Sequence, residues 1–275
     1  MGQHTPRKRF AQHWLRSQRT LDRIIAAAEL SPRDRILEIG PGTGILTRAL
    51  LPKVEAAVAV EVDRDLCEHL AKTLGKRENF LLLGGDILEL DLPDLLAPFP
   101  AFHNPNKVVA NIPYHITGPI LERLLGTLVE PPIYPFEQIV LLVQQEVAAR
   151  LCARPSTKAY GALSVRVQYL ADCEYICRVP ARAFQPPPKV DSAVVRLRPK
   201  SPDPAAKDVQ FLASLVKAGF ASRRKMLRNN LKAWCDRDRL THFLEQLKID
   251  PRVRAEDLSV AQWVALSDGL LGEAD

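Results

Sequence analysis

The chain has 275 residues, 47% of them apolar and 25% charged, a balance that excludes disordered and fibrous classes and leaves room for a sizeable core plus a smaller second domain. Its 38 Lys and Arg against 32 Asp and Glu give a net charge of +6, a moderate basic excess that favours a polyanionic partner. Five cysteines (Cys67, Cys152, Cys173, Cys177, Cys235) form an odd set with no CxxC pair and no His at zinc spacing, which predicts reduced thiols in a cytoplasmic protein, without disulfides or a metal.

The opening segment, MGQHTPRKRFAQHWL, is basic and lacks the apolar stretch of a secretory signal. Arg7, Lys8 and Arg9 are followed there by Arg16, Arg19 and Arg23. Short apolar runs then recur at 35–39, 57–61, 80–83, 107–110 and 138–143, with helical segments between them. Near-continuous Val, Ile and Leu is what parallel strands need when helices cover both faces of their sheet. The prediction is an α/β fold, Rossmann-like and doubly wound, with a mostly parallel sheet. The longest aliphatic run, 139–143, is far too short to cross a bilayer, so no membrane partner is expected. Stretches 163–170, 173–178 and 192–197 alternate more and suit antiparallel strands added at one edge.

The segment RPKSPDPAAKD, 198–208, carries three prolines among charged and small residues and reads as a linker. Beyond it only helical periodicity remains: Phe211, Leu212, Leu215 and Val216, then Leu240, Phe243, Leu244 and Leu247. A small all-helical domain over 209–275 is therefore expected behind a first domain over 1–200. Between Lys217 and Arg239 eight basic residues face only Asp236 and Asp238, a surplus equal to the charge of the whole chain. Two basic clusters flanking an enzyme-like core point to phosphate-backbone contact. Nothing in the sequence demands more than a monomer.

The strongest chemical feature is ILEIGPGTGILT, 36–47, in which a buried strand meets the turn Gly40-Pro41-Gly42-Thr43-Gly44 and a helix follows. Glycines there let a backbone approach a ligand closely at the carboxyl end of the strand. A dinucleotide fingerprint requires glycine at its sixth position, where this chain has Ile45, so NAD is disfavoured. The pattern G-x-G-x-G resembles instead the S-adenosylmethionine loop of Rossmann-like methyltransferases. Glu61 ends the next strand 21 residues after Gly40, where two carboxylate oxygens can accept from both hydroxyls of a ribose. Asp86 follows the third strand, placed either to accept from an adenine amine or to cap a helix.

Asn111-Ile112-Pro113-Tyr114 comes directly after the strand KVVA. An adenine exocyclic amine is a poor nucleophile because its lone pair is delocalised into the ring, so acceptors must hold its hydrogens and aim that lone pair. The Asn111 side-chain oxygen and a neighbouring carbonyl suit this task, Pro113 withholds a competing N–H, and Tyr114 offers a face for a flipped-out base. Orientation then does much of the catalysis without a strong general base.

KRFAQHWL (8–15), LEIGPGTG (37–44), VEVDRDL (60–66), Gly85-Asp86, NIPY (111–114), QQEVAARL (144–151), KAYGALSV (158–165) and FQPPPKVDSAVVRL (184–197) together resemble, from end to end, the KsgA-type small-subunit ribosomal RNA adenine dimethyltransferases. The family's usual opening is KRFGQNFL; here Ala11 stands for Gly, His13 for Asn and Trp14 for Phe, while Leu15 matches. The resemblance implies S-adenosylmethionine contacts at His13, Leu15, Gly40, Gly42, Gly44, Glu61, Asp86 and Asn111. It implies catalysis at Asn111, Pro113 and Tyr114, with Phe184 as the second side of an aromatic clamp. KAYGALSV is expected to turn into a core strand, and Arg223, Arg224, Lys225 and Arg228 of RRKMLRNNL to meet ribosomal RNA. The implied activity is transfer of four methyl groups, two to each of two adjacent adenosines near the 3′ end of 16S rRNA, late in small-subunit assembly. Erythromycin-resistance methylases acting on large-subunit rRNA share the cofactor and NxPY motifs. A non-catalytic assembly or transcription factor on this fold and a DNA adenine methyltransferase are the remaining alternatives.

Overall fold

The computed structural model describes residues 12–130 and 132–271, and the basic trio Arg7, Lys8 and Arg9 lies outside the described residues. In chain order the elements are β1 (Trp14–Leu15), α1 (Gln18–Ala27), β2 (Arg35–Ile39), α2 (Ile45–Leu50), β3 (Ala56–Glu61), α3 (Arg64–Leu74), β4 (Phe80–Gly84), α4 (Leu92–Leu96), β5 (Lys107–Asn111), α5 (Thr117–Leu125), β6 (Gln138–Gln144) and α6 (Gln145–Leu151). They continue with α7 (Ala162–Leu170), β7 (Ala171–Val179), β8 (Phe184–Gln185), β9 (Ser192–Pro199), α8 (Val209–Gly219), α9 (Leu227–Asn230), α10 (Arg237–Gln246) and α11 (Val260–Leu271).

The five apolar runs expected as parallel strands are β2 to β6. They form a seven-stranded sheet of order β4-β3-β2-β5-β6-β9-β7, parallel from β4 to β6, with β9 antiparallel to β6. Every residue of β3 is buried, which explains a sequence apolar on both faces. The chain winds outward from β2 through β3 to β4, then returns to lay β5 on the other side of β2. That reversal opens a crevice between the carboxyl ends of β2 and β5. Helix starts follow local chemistry: Ser17 Oγ accepts from the Thr20 N–H before α1, and Asp63 Oδ1 from the Asp65 N–H before α3. Leu66, Leu70 and Leu74 then line one buried face of α3 at i, i+4 and i+8.

The chain divides into two compact units. One comprises the described residues up to Gly126, Pro132–Ala148 and Glu174–Pro199; the other comprises 127–130, Ala149–Cys173 and the chain from Lys200 onward. The helical unit thus takes 149–173 as well as the tail, where a border at 198–208 alone was expected. Stretch 163–170, expected as a strand, is helix α7. Its alternation is overridden because Gly161 N–H donates to Ser164 Oγ (3.0 Å), a helix-starting contact, and because Tyr160, Val165 and Tyr169 enter the same core as Leu215 and Trp263. Trp263 is fully buried there, whereas Trp234 is 43% exposed and meets Phe211 edge-on.

Candidate active site

The glycine turn leaves β2 inside the crevice. Gly40 N–H donates to Val60 O (2.9 Å), tying the turn to β3. At Gly42, with φ of +59°, a Cβ would lie 3.1 Å from Trp14 Cδ1, so a side chain there would meet both a strained backbone and the β1 tryptophan. Its N–H donates to Glu61 Oε2 (3.1 Å), while Asp63 N–H donates to Glu61 Oε1 (3.0 Å). Each carboxylate oxygen is thereby held by one backbone donor and keeps lone-pair capacity for a ligand. Burial pushes the Glu61 carboxyl above its ordinary range despite these two donors. Asp63 itself is buried and accepts from Gln12 Nε2 (2.9 Å).

A cavity of about 280 Å³ lies beside this turn, walled by Gly40, Gly42, Glu61, Asp86, Asn111 and Pro113. Asp86 Oδ1 accepts from the Leu88 N–H (2.9 Å), so the residue caps the turn after β4 while lining the cavity. The structure makes the residue a turn cap and not the cap of a helix, and leaves its Oδ2 at the cavity for a ligand donor. Val62 and Ile87, each directly after one of the acids, supply apolar walls; Val62 is 43% exposed, unusual for a valine inside such a crevice. Gln12, Trp14, His115 and Ile116 also line the cavity. Sequence reasoning missed these residues as site members, and only the position of Val62 and Ile87 beside the acids was a signal.

Asn111 ends β5, and its Nδ2 donates to His13 O (3.2 Å). That bond fixes which way the amide points and leaves Oδ1 as an acceptor without a partner among the described residues. The His13 ring accompanies it, with Nδ1 2.8 Å from Pro186 O. A carbonyl only accepts, so Nδ1 carries the proton. His13 also stacks on Tyr114, ring centroids 6.0 Å apart at 23°. Tyr114 Oη and Ser192 Oγ are 2.5 Å apart, and burial raises the Tyr114 hydroxyl pKa against this bond.

Three expected site residues fall elsewhere. Phe184 is 3% exposed and pairs in β8 opposite Leu15 of β1, inside the hydrophobic core, so it forms no clamp with Tyr114 here; the ring facing Tyr114 is His13. The residue of the FQPPPKVDS motif that reaches Tyr114 is Ser192. Leu15 is buried in that same core and does not line the cavity. Gly44, with φ of +80°, opens α2 and packs 2.8 Å, measured from its missing Cβ, from Leu70 Cδ2 on α3. Its role is turn geometry and helix packing rather than ligand contact.

Beneath the turn a void of about 30 Å³ borders Glu38 and Trp14. Glu38 is 1% exposed, and its Oε2 and the Trp14 Nε1 lack hydrogen-bond partners. Burial, with the nearby Glu61 charge opposing ionisation, pushes the Glu38 carboxyl up to about 8. In the helical unit, Arg223 donates to Lys158 O, Tyr160 O and Glu256 Oε2 at 2.7–2.9 Å, so its guanidinium holds the chain together. Arg224 and Lys225 are exposed and have no side-chain partner among the described residues. Arg228 is half-buried; the hydrogen bonds that lower the Asp250 pKa come from Arg252, with the Arg228 charge a smaller contribution. No group of three or more His, Cys, Asp or Glu among the described residues can hold a metal ion.

A donor set of this kind fits S-adenosylmethionine. A pinned buried carboxylate suits a ribose diol, a second carboxylate flanked by Val62 and Ile87 suits an adenine edge between apolar faces, and the glycine backbone admits a close-lying chain.

The ribosomal RNA adenine dimethylase family matches residues 3–270 of the chain. A ribosomal RNA small subunit methyltransferase A from Nostoc sp. is 65% identical over 97% of the chain and 98% of its own length. The protein of that name from Picosynechococcus sp. is 58% identical over 96% and 97%. Among solved structures, a dimethyladenosine transferase from Plasmodium falciparum has a TM-score of 0.75 at 27% identity, covering 92% of this chain and 96% of that one. The 23S rRNA methyltransferase ErmE has a TM-score of 0.72 at 28% identity, covering 94% and 99%.

Proposed function

The chain belongs to the ribosomal RNA adenine dimethylase family, and from that premise we infer that it dimethylates the N6 amines of two adjacent adenosines near the 3′ end of 16S rRNA, late in small-subunit assembly. The observation that carries the chemistry is Asn111. Its donor end is committed to His13 O and its acceptor end is free at the cavity wall. Two acceptors on the amine hydrogens, the Asn111 Oδ1 and a neighbouring carbonyl, turn the nitrogen lone pair out of conjugation and toward the methyl donor. S-adenosylmethionine, when bound, supplies an electrophilic sulfonium methyl. Glu61 and Asp86 hold the adenosine end of the cofactor, and Gly40 and Gly42 give it room.

Tyr114 offers a ring for the extruded target base, and Ser192 and His13 hold that ring in one orientation. Prealignment of this kind supplies the catalytic advantage through orientation, so a strong base is not needed. Arg224, Lys225 and Arg228 are the proposed rRNA contacts of the helical unit, with Arg223 as their structural anchor. The enzyme works as a monomer on cytoplasmic ribosomal particles; no helix among the described residues is long and apolar enough to cross a membrane. The fold by itself is shared with a large-subunit enzyme at 28% identity, so preference for the small subunit rests on the much closer relatives at 58–65%.

The test is methyl transfer from labelled cofactor to small subunits lacking this modification, with large subunits and DNA as parallel acceptors. Dimethyladenosine on small subunits alone is expected. Label on large-subunit RNA or DNA would refute the substrate, and tight subunit binding without label would refute catalysis.

A further inference from the structure

A groove of about 740 Å³ lies outside the cofactor cavity, and Arg16, Arg19, Arg23, Arg178 and Arg182 all line it. All five are exposed. They come from two chain segments about 160 residues apart, joined because β1 pairs antiparallel with β8 and Arg16 N–H donates to Ala183 O (2.8 Å). Arg19 and Arg23 stand at i and i+4 on α1, one above the other at the edge of its buried face. Arg178 is paired with Asp191 at 2.5 Å. The other four guanidinium groups have no acceptor among the described residues. Five cations around one groove, four of them without an acceptor among the described residues, concentrate positive potential where an extended anion can meet it.

We propose that this groove is a second docking site for the phosphate backbone of the small-subunit rRNA, on the catalytic unit and separate from the basic helical unit. A small anion meets one or two such groups, whereas an extended polyanion engages cations spread along a groove. Arginine suits the task because its planar fork matches phosphate oxygens bidentately. The groove also has a useful position. His13, which lines the catalytic cavity, and Arg16, which lines the groove, are three residues apart along the β1 segment, about 10 Å in extended chain. A strand gripped here lies within a few nucleotides of the target base, so the groove works as a register clamp on the flanking RNA. The proposal rests on the reading of the substrate as structured rRNA.

The experiment combines Arg19→Ala, Arg23→Ala and Arg182→Ala in one protein. A charge-matched control carries Arg33→Ala, Lys53→Ala and Arg77→Ala, three exposed cations away from the groove. Binding to small subunits and to protein-free 16S rRNA is measured across a salt series, with cofactor affinity and melting temperature in parallel. The groove variant should weaken binding to both RNAs by about an order of magnitude and lower the slope of log affinity against log salt by about 3. Cofactor affinity and melting temperature should stay at wild-type values.

An unchanged slope, an equal effect in the control, or a loss confined to intact subunits overturns the proposal, the last by assigning the groove to an acidic ribosomal protein. Wild-type protein that does not bind rRNA at all overturns it as well. Wild-type protein that binds through the groove yet methylates no small subunit leaves the clamp standing and removes the enzymatic reading instead.

Discussion

Gly42→Ala is the sharpest probe of how the cofactor cavity is held. At φ +59° an L-residue pays about 1–2 kcal/mol relative to glycine. The new methyl would also stand 3.1 Å from Trp14 Cδ1 and 3.3 Å from Trp14 Nε1, so the ring must yield by a few tenths of an ångström. Trp14 is half-buried on a strand of two residues, and His13 beside it orients Asn111, so that shift reaches the acceptor geometry. Displacing the Gly42 N–H from Glu61 Oε2 weakens a hydrogen bond to a charged group, worth about 1.5–3 kcal/mol.

If half of that bond is lost and the loss is carried into the pocket, the cofactor binds about three- to tenfold more weakly, since about 1.4 kcal/mol corresponds to one decade. Stability of the unliganded protein should fall by about 2 kcal/mol. Gly118→Ala is the counterpart. A Cβ there meets nothing within 4 Å inside α5, so it should be neutral or stabilising by up to about 1 kcal/mol. Urea denaturation and calorimetric titration with the cofactor measure both effects. A Gly42→Ala protein with wild-type stability and cofactor affinity would refute the account of the turn.

Other consequences follow from particular contacts. Asn111→Ala should lower kcat by about 100- to 1000-fold in single-turnover methylation while weakening cofactor binding far less; unchanged turnover would contradict acceptor catalysis. Lys107 is buried and donates to Asp34 Oδ2 (2.8 Å) and Glu29 O (2.8 Å), so Lys107→Met strands a buried carboxylate and should cost about 3–5 kcal/mol in denaturation. Because Glu38 is raised from 4.5 to about 8, its neutral native form contributes stability below pH 4.5 that is lost as pH rises toward 8. Glu38→Gln should flatten the stability profile over that interval, and parallel profiles for variant and wild type would contradict burial of the acid. Arg223→Ala should lower the melting temperature, since three acceptors lose their donor, whereas Arg224→Ala should leave melting unchanged and reduce only the salt slope of rRNA binding by about 1.

Much of this molecule is legible in the chain without coordinates. The five parallel strands announce themselves because burial on both faces forces continuous Val, Ile and Leu, and the glycine turn because a left-handed backbone tolerates little else. The acids at 61 and 86 and the NIPY segment follow from where strands end. Those are local properties, set within a few residues. The edge was harder to read: residues 163–170 alternate like a strand, yet become a helix because their apolar side chains find a helical core.

Only the tertiary structure decided which distant residues meet. It sent Phe184 into the core against Leu15, put His13 on Tyr114, and let Ser192 rather than Phe184 anchor that ring. It also gathered Arg178 and Arg182 beside the arginines of α1. The physical reason is the same in each case. Strand pairing between β1 and β8 joins segments about 170 residues apart, and no periodicity within either segment encodes its partner.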